Sequence, residues 1–558
     1  MAGLFHDTLF ARTVRAVLGP TYFPHLDEMN PPSVYQRTIK KKLSSETTFG
    51  PAREDHDDPL NARGRGYGAY DAQEAHAADS EATLAADDMP SPVKEEGKDS
   101  TLVTWYGPDD PENPMNWSRF KKLFVMFQVY LLTFSVYFGA AVYTAGFTDV
   151  SQRFHVSDVA ATVGLTVFLL GCGTGPMLWS PMSEMPFIGR MPIYWFTLLL
   201  FVILQVPTAL ASNLGMLLAF RFITAFVGSP VLATGGATRV YGITLWGAFA
   251  VCAPATAPIM GGFATHAKSW RWTIWMLMWL GSFTLVILFF FFPETSSSNI
   301  LYRRAKRLRQ ATGDNRLKAQ SEIEAESMTG REIALTILVR PFTLMVQEPI
   351  VLALNLYIAL IYAVFYLWFE SFPIVFIGIY HFKPQLLGLA FLGMLGGIIA
   401  TVPPYFYFIY NVEEKMYDEN GQIKPEKRMP TAIFASFLAP ISLLWFGWTA
   451  RASIHWIVPI LGSSIYPGAS LLLFNVVLNY LADAYPRYAA SVLAGNDLMR
   501  CAFAAGFPLF GAAMNRNLGV GWASTLLALL SCAFIPIPIL LNIYGERIRL
   551  ASRRALHH

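Results

Sequence analysis

From residue 121 onward the chain alternates between apolar runs of about 20 residues and short polar breaks, and about 20 helical residues cross a bilayer's hydrocarbon core. Twelve such runs stand in series, at 121–143, 158–182, 193–212, 214–236, 241–264, 270–292, 350–378, 385–410, 431–449, 454–481, 488–513 and 522–544. One apolar run alone fits a buried core helix. Twelve in series fit only a bilayer, where backbone N–H and C=O groups must pair within helices or a closed barrel. The pattern predicts an all-α membrane protein with twelve transmembrane helices in two six-helix bundles. The longest polar break, 293–348, separates six runs from six, a plan used by transporters that bind substrate between two halves.

Five regions follow: a polar, largely disordered N-terminal region (1–119), a first bundle (120–292), a central linker (293–348), a second bundle (349–544) and a tail (545–558). Disorder is expected where charge and proline crowd together, as in Asp55-His56-Asp57-Asp58-Pro59 and Lys94-Glu95-Glu96-Gly97-Lys98. Residues 9–18 mix arginine with apolar positions and fit either a short helix lying on the membrane or a surface turn.

Composition sharpens this picture. Of 558 residues, 54% are hydrophobic and only 15% charged, against about 25% charged in soluble domains. The net charge of +3 is too small to point to nucleic acid. The four cysteines, Cys172, Cys252, Cys501 and Cys532, all fall in apolar runs and read as small buried hydrophobes. No phosphate-cradling loop and no His or Cys pairs at metal-ligand spacing occur, so neither ATP, a metal nor another cofactor is expected.

Charge distribution sets orientation. Lys121, Lys122, Arg190, Arg239, the run from Arg303 to Arg309, Lys424, Lys427, Arg428, Arg487 and Arg547–Arg554 share one side, where basic residues far outnumber those opposite. The positive-inside rule places that side, with both termini, in the cytoplasm.

Several blocks carry a family resemblance. Gly175-Pro176-Met177-Leu178-Trp179-Ser180-Pro181-Met182-Ser183-Glu184 runs on through Pro186-Phe187-Ile188-Gly189-Arg190 between the second and third runs. Arg221 precedes Gly228-Ser229-Pro230, Pro293-Glu294-Thr295 leads to Asn299-Ile300-Leu301 and Arg303-Arg304-Ala305, and Leu518-Gly519-Val520-Gly521-Trp522-Ala523 stands near the end. In this order the blocks resemble the fungal twelve-helix drug:proton antiporters of the major facilitator superfamily, fluconazole- and benomyl-resistance branch. The resemblance covers about residues 101–550 and implies the major facilitator fold. Two departures stand out. The fifth-run motif reads Ala253-Pro254-Ala255-Thr256-Ala257-Pro258 where glycine precedes each proline in the family pattern, though Gly261 and Gly262 follow as expected. The loop after Gly236 is also shorter than the pattern implies.

Ionisable residues at membrane depth are functional candidates because burying them is unfavourable. The resemblance implies proton or conformational coupling for Arg221; an arginine satisfied by backbone carbonyls is the structural alternative. Asp497 and Arg500 lie three apart and share a helix face. Asp497 is thereby either a cavity carboxylate that trades its proton for cargo or half of a neutralising ion pair, with Asn496 and Phe503 near it. Tyr362, Tyr366 and Glu370 recur every four residues with Phe369 alongside. They form either a pocket wall with a proton-binding carboxylate or an interfacial aromatic band. Ser183, Glu184, Gly189 and Arg190 are candidates for a gating loop that pairs charges across the halves. Pro254, Pro258, Gly261 and Gly262 predict a bent, closely packed fifth helix.

The resemblance implies a plasma-membrane, proton-coupled exporter of varied drugs that acts as a monomer on small molecules and protons, surrounded by lipid. Export of one metabolite, such as a polyamine or a fungal secondary product, is the alternative. A non-transporting membrane sensor is a third reading, motivated by the altered fifth-run motif and short loop.

Overall fold

A computed structural model describes residues 7–19, 21–25, 28, 101–231, 240–327, 332, 339–418, 423–552 and 554–555. Among them, ten helices have the length and apolarity to cross a membrane. Two more complete the twelve. The fourth, Leu214–Gly228, is apolar but short among the described residues. The eleventh, Ala489–Leu518, is 30 residues long and carries Asn496, Asp497, Arg500 and Arg516, which lower its apolarity. The short loop after Gly236 falls in 232–239, outside the described residues.

Local chemistry sets the helix ends. The side chains of Ser118, Ser157 and Asn213 accept the backbone N–H of Lys121, Ala160 and Met216 and open the first, second and fourth spans, satisfying donors with no intrahelical partner. The first span continues beyond the residue-143 limit of the apolar run, through a tight turn at Val142–Gly146 into Phe147–Phe154. His155, with φ of 51°, then stops the helix. The third span, Arg190–Ala209, starts three residues earlier than the apolar pattern suggests.

Within the first half, the second span packs on the fourth, the first on the fifth and the third on the sixth. In the second half the seventh packs on the eleventh, the ninth on the tenth and twelfth, and the eighth on the tenth. Missing side chains allow close approach: a Cβ at Gly397 would collide with the Ser464 carbonyl oxygen, between the eighth and tenth spans. The halves meet along two seams, the second span against the eleventh and the fifth against the eighth and tenth.

Most of the disorder expected in 1–119 falls outside the described residues, but two parts of that region are folded. Leu9–Leu18 is a helix whose Phe10 packs on Phe289 and Phe290 at the end of the sixth span. Strand β1 (Thr101–Val103) pairs in parallel with β2 (Leu317–Ala319) in the central linker, a small exception to the all-helical plan. Val103, Ala305, Leu308, Leu317 and Ala319 form a separate apolar core beneath it. Arg304, with no side-chain exposure, donates to Asp110 at 2.7 Å and Glu112 at 2.8 Å, while Arg303 donates to Asp7 at 2.7 Å. The described parts of the polar preface and of the linker thus form one clamp. Its charges read as solvation along the sequence because their partners stand 192 to 296 residues away.

Burial alone would raise the Glu112 carboxyl. The hydrogen bond with His25 and the charges of Arg307 and Arg304 outweigh that effect and hold it at about 2. Asp7 likewise sits well below the ordinary carboxylate range, because Arg303 and Arg12 overcome its burial.

Candidate functional site

A small cavity lies between the halves, midway along the spans. Tyr137 comes from the first span, Ala250, Val251 and Pro254 from the fifth, Ile358, Ile361, Tyr362 and Phe365 from the seventh, Ser470 and Phe474 from the tenth, and Arg500 from the eleventh. The lining is almost wholly apolar and aromatic. Arg500 supplies its formal charge, although only 2% of that residue is exposed. Its Nη2 donates to the Tyr137 hydroxyl at 2.7 Å and to Asp497 Oδ1, while the Tyr362 and Phe474 rings each lie 4.7 Å from the guanidinium carbon. Asp497 is buried beside Arg500 and is not part of the cavity wall.

Contacts between the halves close the cavity at both ends. Towards the side bearing the tails, Trp246 stacks on Phe474 with centroids 5.7 Å apart. Asn475 there donates to Thr244 at 2.6 Å, and Met177 meets Ala494. Nearer the middle, a Cβ at Gly173 would lie 2.7 Å from that of Cys501. Towards the opposite side, Thr166 donates to the Ala505 carbonyl at 2.8 Å and Thr162 to Glu370 at 3.4 Å. Gln385 and His266 also bond there.

The structure brings Tyr362 and Pro254 to the cavity and places the other candidates elsewhere. Tyr366 is fully buried one turn beyond Tyr362, with their hydroxyls 3.4 Å apart. Glu370 lies another turn on, at the contact with Thr162. The Phe369 side chain is outside the described residues. Asn496 is buried and donates to Asn355 at 2.8 Å, joining the eleventh span to the seventh. Phe503 stacks on Phe507 at 6.2 Å and is absent from the cavity lining. Pro258 and Gly261 lie farther along the fifth helix, which runs without a break over Val240–Ala267 despite its two prolines. The Pro258 carbonyl sits where a Cβ on Gly388 would fall, and Gly261 faces Val142 and Ala145. Gly262 belongs to the same helix.

Arg221 sits inside the first half, 1% exposed. Its Nε donates to the Gly164 carbonyl at 2.7 Å and its Nη2 to that of Gly139 at 3.2 Å, with the Tyr143 ring 4.0 Å away. Among the described residues no carboxylate pairs with it. Its partners are the backbone carbonyls of the structural alternative, and they tie the fourth span to the first and second.

The loop between the second and third spans is held within its own half. Glu294, fully buried just after the sixth span, accepts the backbone N–H of Arg190, Thr295 and Ser296 at 3.0 Å each and that of Met191 at 3.3 Å. Gly189 has φ of +81°, and a Cβ there would lie 2.5 Å from Glu294 Oε2. Asn299 donates to the Pro186 carbonyl at 2.7 Å, and Ser183 to that of Ser180. Glu184 lies in the field of Arg190, on the same loop. The expected pairing across the halves is therefore not among the described contacts. The negative carboxylate instead caps the positive end of the third helix.

Sequence reasoning found Asp497 and its spacing to Arg500 and left the carboxylate either a cavity role or half of an ion pair, with no cavity role for Arg500. It did not single out Tyr137, and it carried Glu294 only as part of the Pro293-Glu294-Thr295 block. The i,i+3 spacing signals the pair without saying which member turns inward, and no local pattern marks Tyr137 among its apolar neighbours.

The family model of the Major Facilitator Superfamily matches residues 129–508. Transporter mfs1 of Schizosaccharomyces pombe is 46% identical over 484 residues, covering 84% of this chain and 91% of its own. Multidrug transporter FLR2 of Candida glabrata is 44% identical over 476 residues, 82% of this chain and 80% of that protein. Fluconazole resistance protein 1 of Saccharomyces cerevisiae is 41% identical over 487 residues, 85% and 88% respectively. With twelve spans in two halves and similarity along most of its length, the chain is a multi-pass membrane transporter, not an enzyme, and belongs to the Major Facilitator Superfamily.

Proposed function

We propose that the protein exports structurally varied apolar or amphipathic compounds in exchange for protons, by alternating access across the plasma membrane. The observation that carries this reading is the ring-lined cavity between the halves, closed at both ends and bordered by the buried Asp497–Arg500 pair. Closure at both ends fits an occluded intermediate between states open to either side. A proton on Asp497 would cancel its charge and release Arg500 from the pair, changing the relative stability of those states. The names of the relatives, which speak of multidrug transport and fluconazole resistance, support drugs as cargo. The basic residues on the tail side support cytoplasmic termini. Inward movement of each proton would then contribute about 2.3 kcal/mol per 100 mV of membrane potential.

Expression in a yeast lacking its own drug pumps tests the proposal. Reduced accumulation of several unrelated drugs, restored to control levels by an uncoupler, is the expected result. Unchanged accumulation of every compound in the panel would overturn it and favour the non-transporting sensor.

A further inference from the structure

We infer that the cavity selects uncharged or anionic flat cargo bearing a hydrogen-bond acceptor, and that Arg500 is the residue that reads it. This deepens the export reading and rests on it. A carboxylate-walled cavity would favour organic cations, but here the guanidinium forms the charged part of the wall and Asp497 stands behind it. Arg500 is 2% exposed, and among the described residues its buried Nε has no hydrogen-bond partner, nor has Oδ2 of Asp497 beside it. A buried donor left unpaired is unfavourable, and an acceptor on cargo that reached Arg500 at the wall would satisfy it. Beside it, Tyr362, Phe365 and Phe474 offer ring faces to a flat apolar body.

The surroundings point the same way. Glu370 lies two helical turns beyond Tyr362, about 12 Å along the axis, and contacts Thr162 outside the cavity lining. Tyr137 presents its hydroxyl to Arg500 as an acceptor and adds no negative charge. An organic cation entering this space would meet the positive member of the Asp497–Arg500 pair first, with the compensating carboxylate behind it.

Two probes test the inference in pump-deficient yeast expressing the protein: fluconazole, neutral with ring-nitrogen acceptors, and tetraphenylphosphonium, a permanent cation with none. The expected result is at least a tenfold preference for fluconazole export. Replacing the pair together, Arg500→Met with Asp497→Asn, should reduce fluconazole export at least tenfold at equal surface abundance. Purified wild-type protein provides a readout independent of variant folding, because fluconazole should raise its melting midpoint and tetraphenylphosphonium should not. Equal or better export of the cation would overturn the inference while leaving the export reading intact; undiminished fluconazole export by the double variant would overturn it together with the proton role of Asp497, leaving drug export itself standing. Export of neither probe or any other drug would defeat the export reading, and this inference with it.

Discussion

Replacing Glu294 with glutamine preserves the shape of the side chain and removes its charge. In the structure Oε1 accepts three backbone N–H groups at 3.0 Å, and Oε2 accepts that of Met191 at 3.3 Å, with Arg12 Nη2 3.8 Å away. Glutamine retains the three Oε1 bonds as neutral ones if its carbonyl takes that position. Its NH2 then faces Met191 N–H and the Arg12 guanidinium, donors against donors. One charge-assisted bond is lost, three are weakened, and the positive end of the third helix loses its anion. Hydrogen bonds to charged groups contribute about 1.5–3 kcal/mol each and neutral ones roughly half that, so even at the low end Glu294→Gln should cost about 4 kcal/mol. At about 2–4 °C per kcal/mol for a six-helix unit, the melting midpoint of the purified protein should fall by roughly 8–16 °C. Glu546→Gln is the control, because its pair with Lys424 leaves both side chains about half exposed, where solvent and salt screen the attraction. A shift for Glu294→Gln no larger than that of the control would refute the claim that this carboxylate holds the loop.

Two further outcomes follow from the packing and the tail-side clamp. Gly397→Val would drive a side chain into the Ser464 carbonyl and cost about 3 kcal/mol or more, so little protein should reach the membrane; Gly396→Ala, whose Cβ meets nothing within 4 Å, should express normally. For the clamp, Glu112 is depressed from 4.5 to about 2, so its contribution is fully present above about 4.5 and disappears as pH falls through about 2. Hydrogen-exchange protection of 101–112 should therefore stay level from pH 7 to about 4.5 and fall only below that; a midpoint above pH 4.5 would contradict the burial of Glu112 among His25, Arg304 and Arg307.

The sequence made the membrane fold legible because each span is a local pattern. Twelve apolar runs and a polar break midway are visible without knowing what touches what. The caps are local in the same way, since Ser118, Ser157 and Asn213 stand immediately before their helices, although they enter only with the structure. The clamp was hidden because Arg304 reaches Asp110 and Glu112 across nearly 200 residues, and one chain of charges looks like another until partners meet. The site was half visible. The spacing of Asp497 and Arg500 gave the ion pair, but rotation of the eleventh helix against the seventh and second decides which side chain reaches the cavity. Helix rotation depends on packing against neighbours, which no single run records. The same applies to Glu294, whose acceptor role depends on a loop more than 100 residues earlier.

The central claim is that proton movement drives cargo through this cavity by way of the Asp497–Arg500 pair. Its most direct test is uptake of fluconazole into liposomes containing the purified protein, acid inside relative to outside, with wild type and Asp497→Asn compared at equal incorporation. The account predicts uptake against the drug gradient for wild type, abolished by an uncoupler, and at least a tenfold loss of this pH-driven component in Asp497→Asn. Wild-type uptake indifferent to the pH difference, or full pH-driven uptake by Asp497→Asn, would contradict it.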